Sequence, residues 1–147
     1  MKRMVYYGGL LSTLALLLVA CGAGTAPPGD DAAGTAGLAK NADGYTDISV
    51  EQLSSMMEDK GFTLVNVHVP YEGELPETDL FIPYDQITDH LDQIPDKDAP
   101  IVLYCRSGSM STSAAKELAD QGYTNVFELD GGFNDWKASG YEFLDTR

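Results

Sequence analysis

Short runs of aliphatic and β-branched residues alternate with segments of helical apolar spacing after residue 44. This alternation predicts an α/β domain with a small, mostly parallel, five-stranded sheet flanked by helices. The strands are expected at residues 45–48, 63–69, 81–82, 100–104 and 125–129. The chain has two cysteines, too few for a disulfide scaffold, so a single apolar core has to stabilise the domain.

The helices are expected where apolar residues recur every three to four positions. They are predicted after Ser49, at residues 87–91, between Ser109 and Gly122, and after Gly132. Ser49 is a suitable amino-terminal cap for the first helix. Phe133 and Trp136 share one face of the last helix, and we expect them to pack beneath the sheet.

The first twenty residues are typical of an export signal. Lys2 and Arg3 precede an uncharged run, residues 4–20, that is rich in leucine. The segment ends in a sequence that resembles the lipobox of bacterial lipoproteins, Leu18-Val19-Ala20-Cys21-Gly22. The resemblance implies that Cys21 is lipidated and becomes the new amino terminus. An uncleaved membrane anchor is the alternative, and both interpretations place the rest of the chain outside the cytoplasm.

The composition divides the chain into three parts. A lipoprotein-type signal peptide is expected at residues 1–20, a flexible Gly/Ala/Pro/Asp tether at 21–44 and the folded domain at 45–147. The net charge is −14, which argues against nucleic acid or an anionic membrane surface as a partner. Attachment to a membrane is expected through the lipid on Cys21.

A cysteine follows the strand predicted at residues 100–104. Ligands of open parallel sheets bind at the carboxyl ends of the strands, which is where Cys105 lies. The short Ser- and Gly-containing loop then enters a helix, so backbone N–H groups, the helix terminus and Arg106 together favour a thiolate. The alternative is a buried, unreactive cysteine at a strand end.

Several motifs around this cysteine resemble the carboxyl half of a single-domain rhodanese. The motifs, in order, are Tyr104-Cys105-Arg106-Ser107-Gly108-Ser109-Met110-Ser111, Gly122-Tyr123-Thr124-Asn125-Val126, Leu129-Asp130-Gly131-Gly132-Phe133 and Trp136-Lys137. The resemblance implies a sulfurtransferase with Cys105 as its catalytic nucleophile and residues 106–111 as its substrate-binding loop. It implies no cofactor and no metal. The implied partners are a small sulfur donor, thiosulfate or a persulfide, and an acceptor that is cyanide or a small or protein thiol.

Two departures from the family pattern bear on turnover. Met110 stands where family members often carry a cation, which predicts weak use of doubly charged thiosulfate and a preference for less charged persulfides. Asn66-Val67-His68 replaces the usual Asp-Val-Arg, and an acidic loop at residues 72–79 follows it. This loop is either an ordinary solvated loop or one that discriminates against anionic donors near the site. We expect His68 to lie near the rim of the site and not to act as a base. The alternative function is a non-catalytic binding, sulfur-carrier or redox-sensing module.

Phosphatases and arsenate reductases share this fold and carry an arginine six residues after the cysteine. Ser111 occupies that position here. A loop without the arginine is poorly suited to stabilise the equatorial charge of a transferring phosphoryl group. Phosphoryl transfer is therefore the less favoured chemistry.

Overall fold

The computed structural model describes residues 38–145. Its strands are β1 Thr46–Ile48, β2 Thr63–Asn66, β3 Leu80–Phe81, β4 Ile101–Tyr104 and β5 Val126–Leu129. Its helices are α1 Val50–Met57, the 3₁₀ helix Tyr84–His90, α2 Ser109–Asp120 and α3 Gly132–Ala138. The strands form one parallel sheet in the order β1-β5-β4-β2-β3. The predicted fold class is confirmed.

Two apolar clusters cover the opposite faces of the sheet, because successive side chains of a strand point to opposite sides. On β4, Ile101 and Leu103 join the cluster that includes the apolar face of α2. Val102 and Tyr104 join the cluster that includes the apolar faces of α1 and α3. All four residues of β4 are buried, as are all four of β5. Burial on both faces explains the near-continuous apolar runs of these strands.

The helices agree with the sequence in outline. Ser49 accepts a hydrogen bond from the Gln52 N–H through its side chain and donates its own N–H to the Gln52 side chain, which is a capping box. Phe133 and Trp136 are buried in the cluster shared with α1, as predicted. The weak helix expected at residues 87–91 is the 3₁₀ helix, which begins earlier and buries Ile87.

The strand predicted at residues 63–69 was too long, because β2 ends at Asn66. The Asn66 side chain accepts a hydrogen bond from the His68 N–H at 3.0 Å and donates one to the Gly73 carbonyl at 2.9 Å. These local bonds turn the chain away from the strand direction. Val67 stays fully buried beyond the end of the strand, which explains why the apolar run suggested a longer one.

Residues 38–44, placed in the tether by the sequence, contact the folded domain. Leu38 packs against the cluster that α1 and α3 share, and Lys116 of α2 forms an ion pair with Asp43 at 2.8 Å. The packed part of the chain therefore extends to the amino-terminal side of Tyr45. Cys21 and the predicted signal lie outside the described residues. Within residues 38–145, no helix has the length and apolar character needed to cross a membrane.

Candidate active site

Cys105 lies at the carboxyl end of β4, between the neighbouring strands β2 and β5. The residue is 1% exposed. Gly108 has a φ of +93°, a conformation that glycine adopts without strain and that turns the loop into α2. Because α2 begins at Ser109, its positive end adjoins the cysteine.

The loop after Cys105 presents unpaired backbone donors. Among the described residues, no backbone hydrogen bond outside the regular helices and strands has its N–H donor at positions 106–111. The first turn of a helix leaves such groups without partners, and here the bond from Thr112 N–H to the Gly108 carbonyl, at 2.9 Å, begins the ladder. Successive free N–H groups in the loop that follows a cysteine can hold an anion on or beside its sulfur.

A pocket of about 350 Å³ opens over the cysteine. It is lined by five residues of the predicted site, Cys105, Arg106, Ser107, Ser109 and Met110. Four further residues, His68, Val69, Pro70 and Glu72, complete its lining. The sequence had placed His68 near the site and had left open whether the acidic loop of Glu72 lies there, whereas Val69 and Pro70 were not expected. Gly108 and Ser111 of the predicted loop do not line the pocket.

Arg106, the cation beside the cysteine, also contacts the carboxylate of Glu72. Glu72 Oε1 lies 3.4 Å from Arg106 Nη1, and its other oxygen lies 3.5 Å from His68 Nε2. The Arg106 side chain is 55% exposed, so solvent screens this contact. Glu72 nevertheless places a negative charge at the pocket, where it offsets the charge that Arg106 offers to an anionic ligand.

His68 contributes a neutral ring to the pocket. Burial lowers the pKa of His68 below its ordinary value, and Glu72 opposes that shift. The separation of 3.5 Å from Glu72 is long for a hydrogen bond. The ring packs edge-on against Phe133, with centroids 5.3 Å apart. His68 therefore adds no positive charge to the site at neutral pH.

The acidic loop that carries Glu72 is anchored from two strands. The Asn66 side chain of β2 donates to the Gly73 carbonyl. The Tyr104 hydroxyl of β4 accepts from the Leu75 N–H at 3.0 Å and lies 2.7 Å from Thr78 Oγ1. An aspartate at position 66 would lack the amide donor for Gly73. The Asn66 departure from the family pattern thus has a structural use in fixing this loop.

The first residues of α3 form hydrogen bonds with the backbone of the cysteine loop. Phe133 N–H donates to the Cys105 carbonyl at 2.9 Å, and Asn134 N–H donates to the Arg106 carbonyl at 3.0 Å. Gly131 and Gly132 have φ values of +72° and +58° and make the turn from β5 into α3. The double glycine therefore lets a helix terminus approach the loop backbone closely.

The Ser111 side chain lies beneath the loop and is fully buried, so only its backbone N–H belongs to the run of donors predicted to contact substrate. Its Oγ is 3.3 Å from Cys105 Sγ, 3.0 Å from the Gly108 carbonyl and 2.5 Å from Glu128 Oε1. Glu128 belongs to β5 and is 1% exposed. The sequence analysis missed Glu128, although a carboxylate inside an apolar strand is itself a signal, because such groups are rarely buried without a partner.

Burial raises the pKa of Glu128 to about 7. Asp130 and Asp47 add to the rise by charge repulsion, and the hydrogen bond from Ser111 opposes it. The carboxylates of these three acids have oxygens within 4.8 Å of one another. Glu128 therefore changes its protonation near neutral pH, one hydroxyl away from the cysteine sulfur.

Comparison with known proteins identifies the family. Residues 49–139 match the family model for the rhodanese-like domain, and the chain belongs to this family. A sulfurtransferase of Allochromatium vinosum is 37% identical over 98 residues, which cover 64% of this chain and 90% of that protein. The thiosulfate sulfurtransferase GlpE of Actinobacillus pleuropneumoniae serotype 5b is 29% identical over 98 residues, covering 65% of this chain and 90% of that protein.

A solved structure agrees with this assignment. A rhodanese-like domain protein of Staphylococcus aureus superposes with a TM-score of 0.58 at 26% identity, covering 69% of this chain and 97% of that one. The family resemblance inferred from the cysteine loop and the double glycine is confirmed.

Proposed function

We propose that this chain is a sulfurtransferase that carries sulfane sulfur as a persulfide on Cys105. One observation carries the proposal: the cysteine lies at an open pocket and is followed by unpaired backbone N–H donors at residues 106–111. The relatives from Allochromatium and Actinobacillus, both named sulfurtransferases, support the same chemistry.

The reaction needs two displacements at sulfur. In the first, the Cys105 thiolate attacks the outer sulfur of the donor, the donor S–S bond breaks, and sulfite leaves from thiosulfate or a thiolate leaves from a persulfide. In the second, cyanide or an acceptor thiolate attacks the outer sulfur of the Cys105 persulfide, and the Cys105 thiolate leaves. The enzyme supplies an activated nucleophile and stabilises the anionic persulfide with its N–H groups.

Sulfur loading of Cys105 tests the proposal. The full chain, in detergent, is incubated with thiosulfate or with cysteine persulfide, alkylated with iodoacetamide and digested with trypsin. Cleavage at Lys97 and Arg106 separates Cys105 from Cys21. We expect the Cys105 peptide to gain one sulfur from the persulfide and to lose it to cyanide or a thiol. The Cys105→Ser variant is the control and gains nothing.

A folded protein that takes no sulfur from either donor contradicts the proposal. That result favours the non-catalytic alternative, in which the fold serves as a binding module. The contact between Glu72 and Arg106 is consistent with such a module, since it reduces the positive charge available to an anion.

We also propose that the chain is tethered to a membrane outside the cytoplasm by a lipid on Cys21. The support is the signal-like segment and its lipobox-like end. In a bacterial host we expect the mature chain to begin at a lipid-modified Cys21 and to sediment with membranes, and Cys21→Ser to abolish the modification. A wild-type chain that sediments with membranes but has an unprocessed mass and no lipid on Cys21 would instead indicate an uncleaved anchor.

A further inference from the structure

Ser111 connects two titratable side chains that come from different elements. Its hydroxyl lies 3.3 Å from Cys105 Sγ and 2.5 Å from Glu128 Oε1, and the Gly108 carbonyl lies 3.0 Å away as a third neighbour. A hydroxyl has one hydrogen to donate and accepts through its lone pairs. The neighbour that receives this hydrogen therefore depends on which of the others carries a proton.

Two arrangements of the same atoms satisfy these groups. When Glu128 is ionised, its carboxylate is the strongest acceptor and takes the Ser111 hydrogen, which leaves Ser111 Oγ to accept from the Cys105 thiol. When Glu128 is protonated, it donates to Ser111 Oγ, and the Ser111 hydrogen is free for a Cys105 thiolate. The proton is thus either on the sulfur or on the carboxylate, and one negative charge is held in both cases.

We propose that Glu128 is a positioning residue for Cys105 and takes up, through Ser111, the proton that the thiol loses. The Cys105 S–H bond breaks as its hydrogen passes to Ser111 Oγ, while the hydrogen of Ser111 passes to Glu128 Oε1. No proton leaves the group and no oxidant or reductant is needed. The inference deepens the proposed function, since sulfur transfer requires the thiolate of Cys105.

The surroundings of Glu128 favour this role. Asp47 of β1 and Leu103 of β4 are its register partners on the two neighbouring strands, and Asp130 follows directly after the end of β5. The groups that shift its titration are Asp130, Asp47 and Ser111, and none of them is a cation. Burial among acids makes a second negative charge costly, so Glu128 is a suitable proton acceptor near neutral pH.

The pH dependence of alkylation at Cys105 tests this proton relay, which runs from Cys105 through Ser111 to Glu128. The rate of reaction with iodoacetamide is measured from acid to alkaline pH in the full chain, in detergent, on the tryptic peptide that carries Cys105. Only the thiolate reacts. Because the two groups share one proton, we expect the wild-type rate to rise in two steps. This measurement needs no variant.

Variants of Glu128 and Ser111 show which side chains cause the two-step profile. Glu128→Gln keeps the shape of the side chain and cannot take a proton, so we expect the alkylation rate to rise in a single step. At pH 8 we expect a rate roughly tenfold higher than in the wild type, because the variant lacks the Glu128 carboxylate, whose negative charge disfavours a nearby thiolate. Ser111→Ala removes the connecting hydroxyl, and we expect roughly tenfold slower alkylation at neutral pH. Ser111→Thr keeps the hydroxyl and should restore the wild-type profile. Asp47→Asn, which removes a neighbouring charge outside the relay, should keep both steps.

A single step in the wild type, or a Glu128→Gln profile that superimposes on the wild type, overturns the relay. The same holds if a Ser111→Thr variant as stable as the wild type is alkylated as slowly as Ser111→Ala, because the slower rate would then not follow from loss of the hydroxyl. Alkylation is read without any sulfur donor. A two-step profile in a chain that never loads sulfur therefore supports the relay and contradicts only the proposed function.

Discussion

Gly132→Ala is expected to destabilise the protein by about 3–5 kcal/mol, from backbone strain and overpacking together. A Cβ at this position would lie 2.2 Å from the Cys105 carbonyl oxygen and 2.7 Å from the Arg106 carbonyl carbon. Both are backbone atoms, so no side-chain rotation relieves the contact. The only relief is to separate α3 from the loop, which breaks the bonds from Phe133 and Asn134 to those carbonyls.

Gly61 and Gly140 serve as controls that separate backbone strain from overpacking. Gly61 has an ordinary φ and open space around its Cα, so Gly61→Ala should be near neutral. Gly140 also has open space but a φ of +86°, so Gly140→Ala should cost about 1–2 kcal/mol from strain alone. Urea unfolding followed by the fluorescence of Trp136, the single tryptophan, measures all three. If Gly132→Ala costs no more than Gly140→Ala, the close approach is not a constraint.

The central part of the site could be predicted because it is local in sequence. A buried strand, a loop with serine and glycine, and a helix are contiguous, so their order alone places Cys105 at the sheet edge beside a helix terminus. The double glycine was likewise readable as a turn. Its closeness to the Cys105 carbonyl was not, because that contact joins residues brought together by the packing of α3 on the sheet.

The parts that sequence reasoning missed depend on contacts between distant segments. Ser111 and Glu128 are 17 residues apart and meet only because β5 lies beside β4 in the sheet. The acidic loop was recognised, but the choice of Glu72 as the partner of Arg106 follows from the path that Asn66 and Tyr104 impose on that loop. Side-chain anchoring of this kind leaves no periodic pattern in the sequence.

Glu72→Gln and Met110→Arg are each expected to raise kcat/KM for thiosulfate about tenfold. Both residues line the pocket over Cys105. Thiosulfate carries two negative charges, and the nearby cation, Arg106, is already 3.4 Å from the Glu72 carboxylate. Removing that carboxylate frees Arg106, and an arginine at position 110 adds a second cation. A charge change of one unit at a partly exposed site is worth about 1–2 kcal/mol, which is about tenfold in rate.

A persulfide donor of lower charge separates electrostatics from other effects. With cysteine persulfide, both variants should stay close to the wild type. Met110→Gln matches the arginine variant in polarity without its charge and should give no gain. Glu77→Gln removes a charge from the same loop outside the pocket lining, and it should leave thiosulfate use nearly unchanged.

Salt provides the decisive comparison, because screening weakens interactions between exposed charges. The wild type should use thiosulfate better as ionic strength rises, since the repulsion by Glu72 is reduced. The gain from Glu72→Gln should shrink over the same range. A gain that is independent of salt would mean that the effect of Glu72 does not come from a screened surface charge, and an unchanged thiosulfate rate in both variants would show that charge at this pocket does not select the donor. Only the expected pattern makes Glu72 and Met110 together the determinants of a preference for weakly charged persulfides.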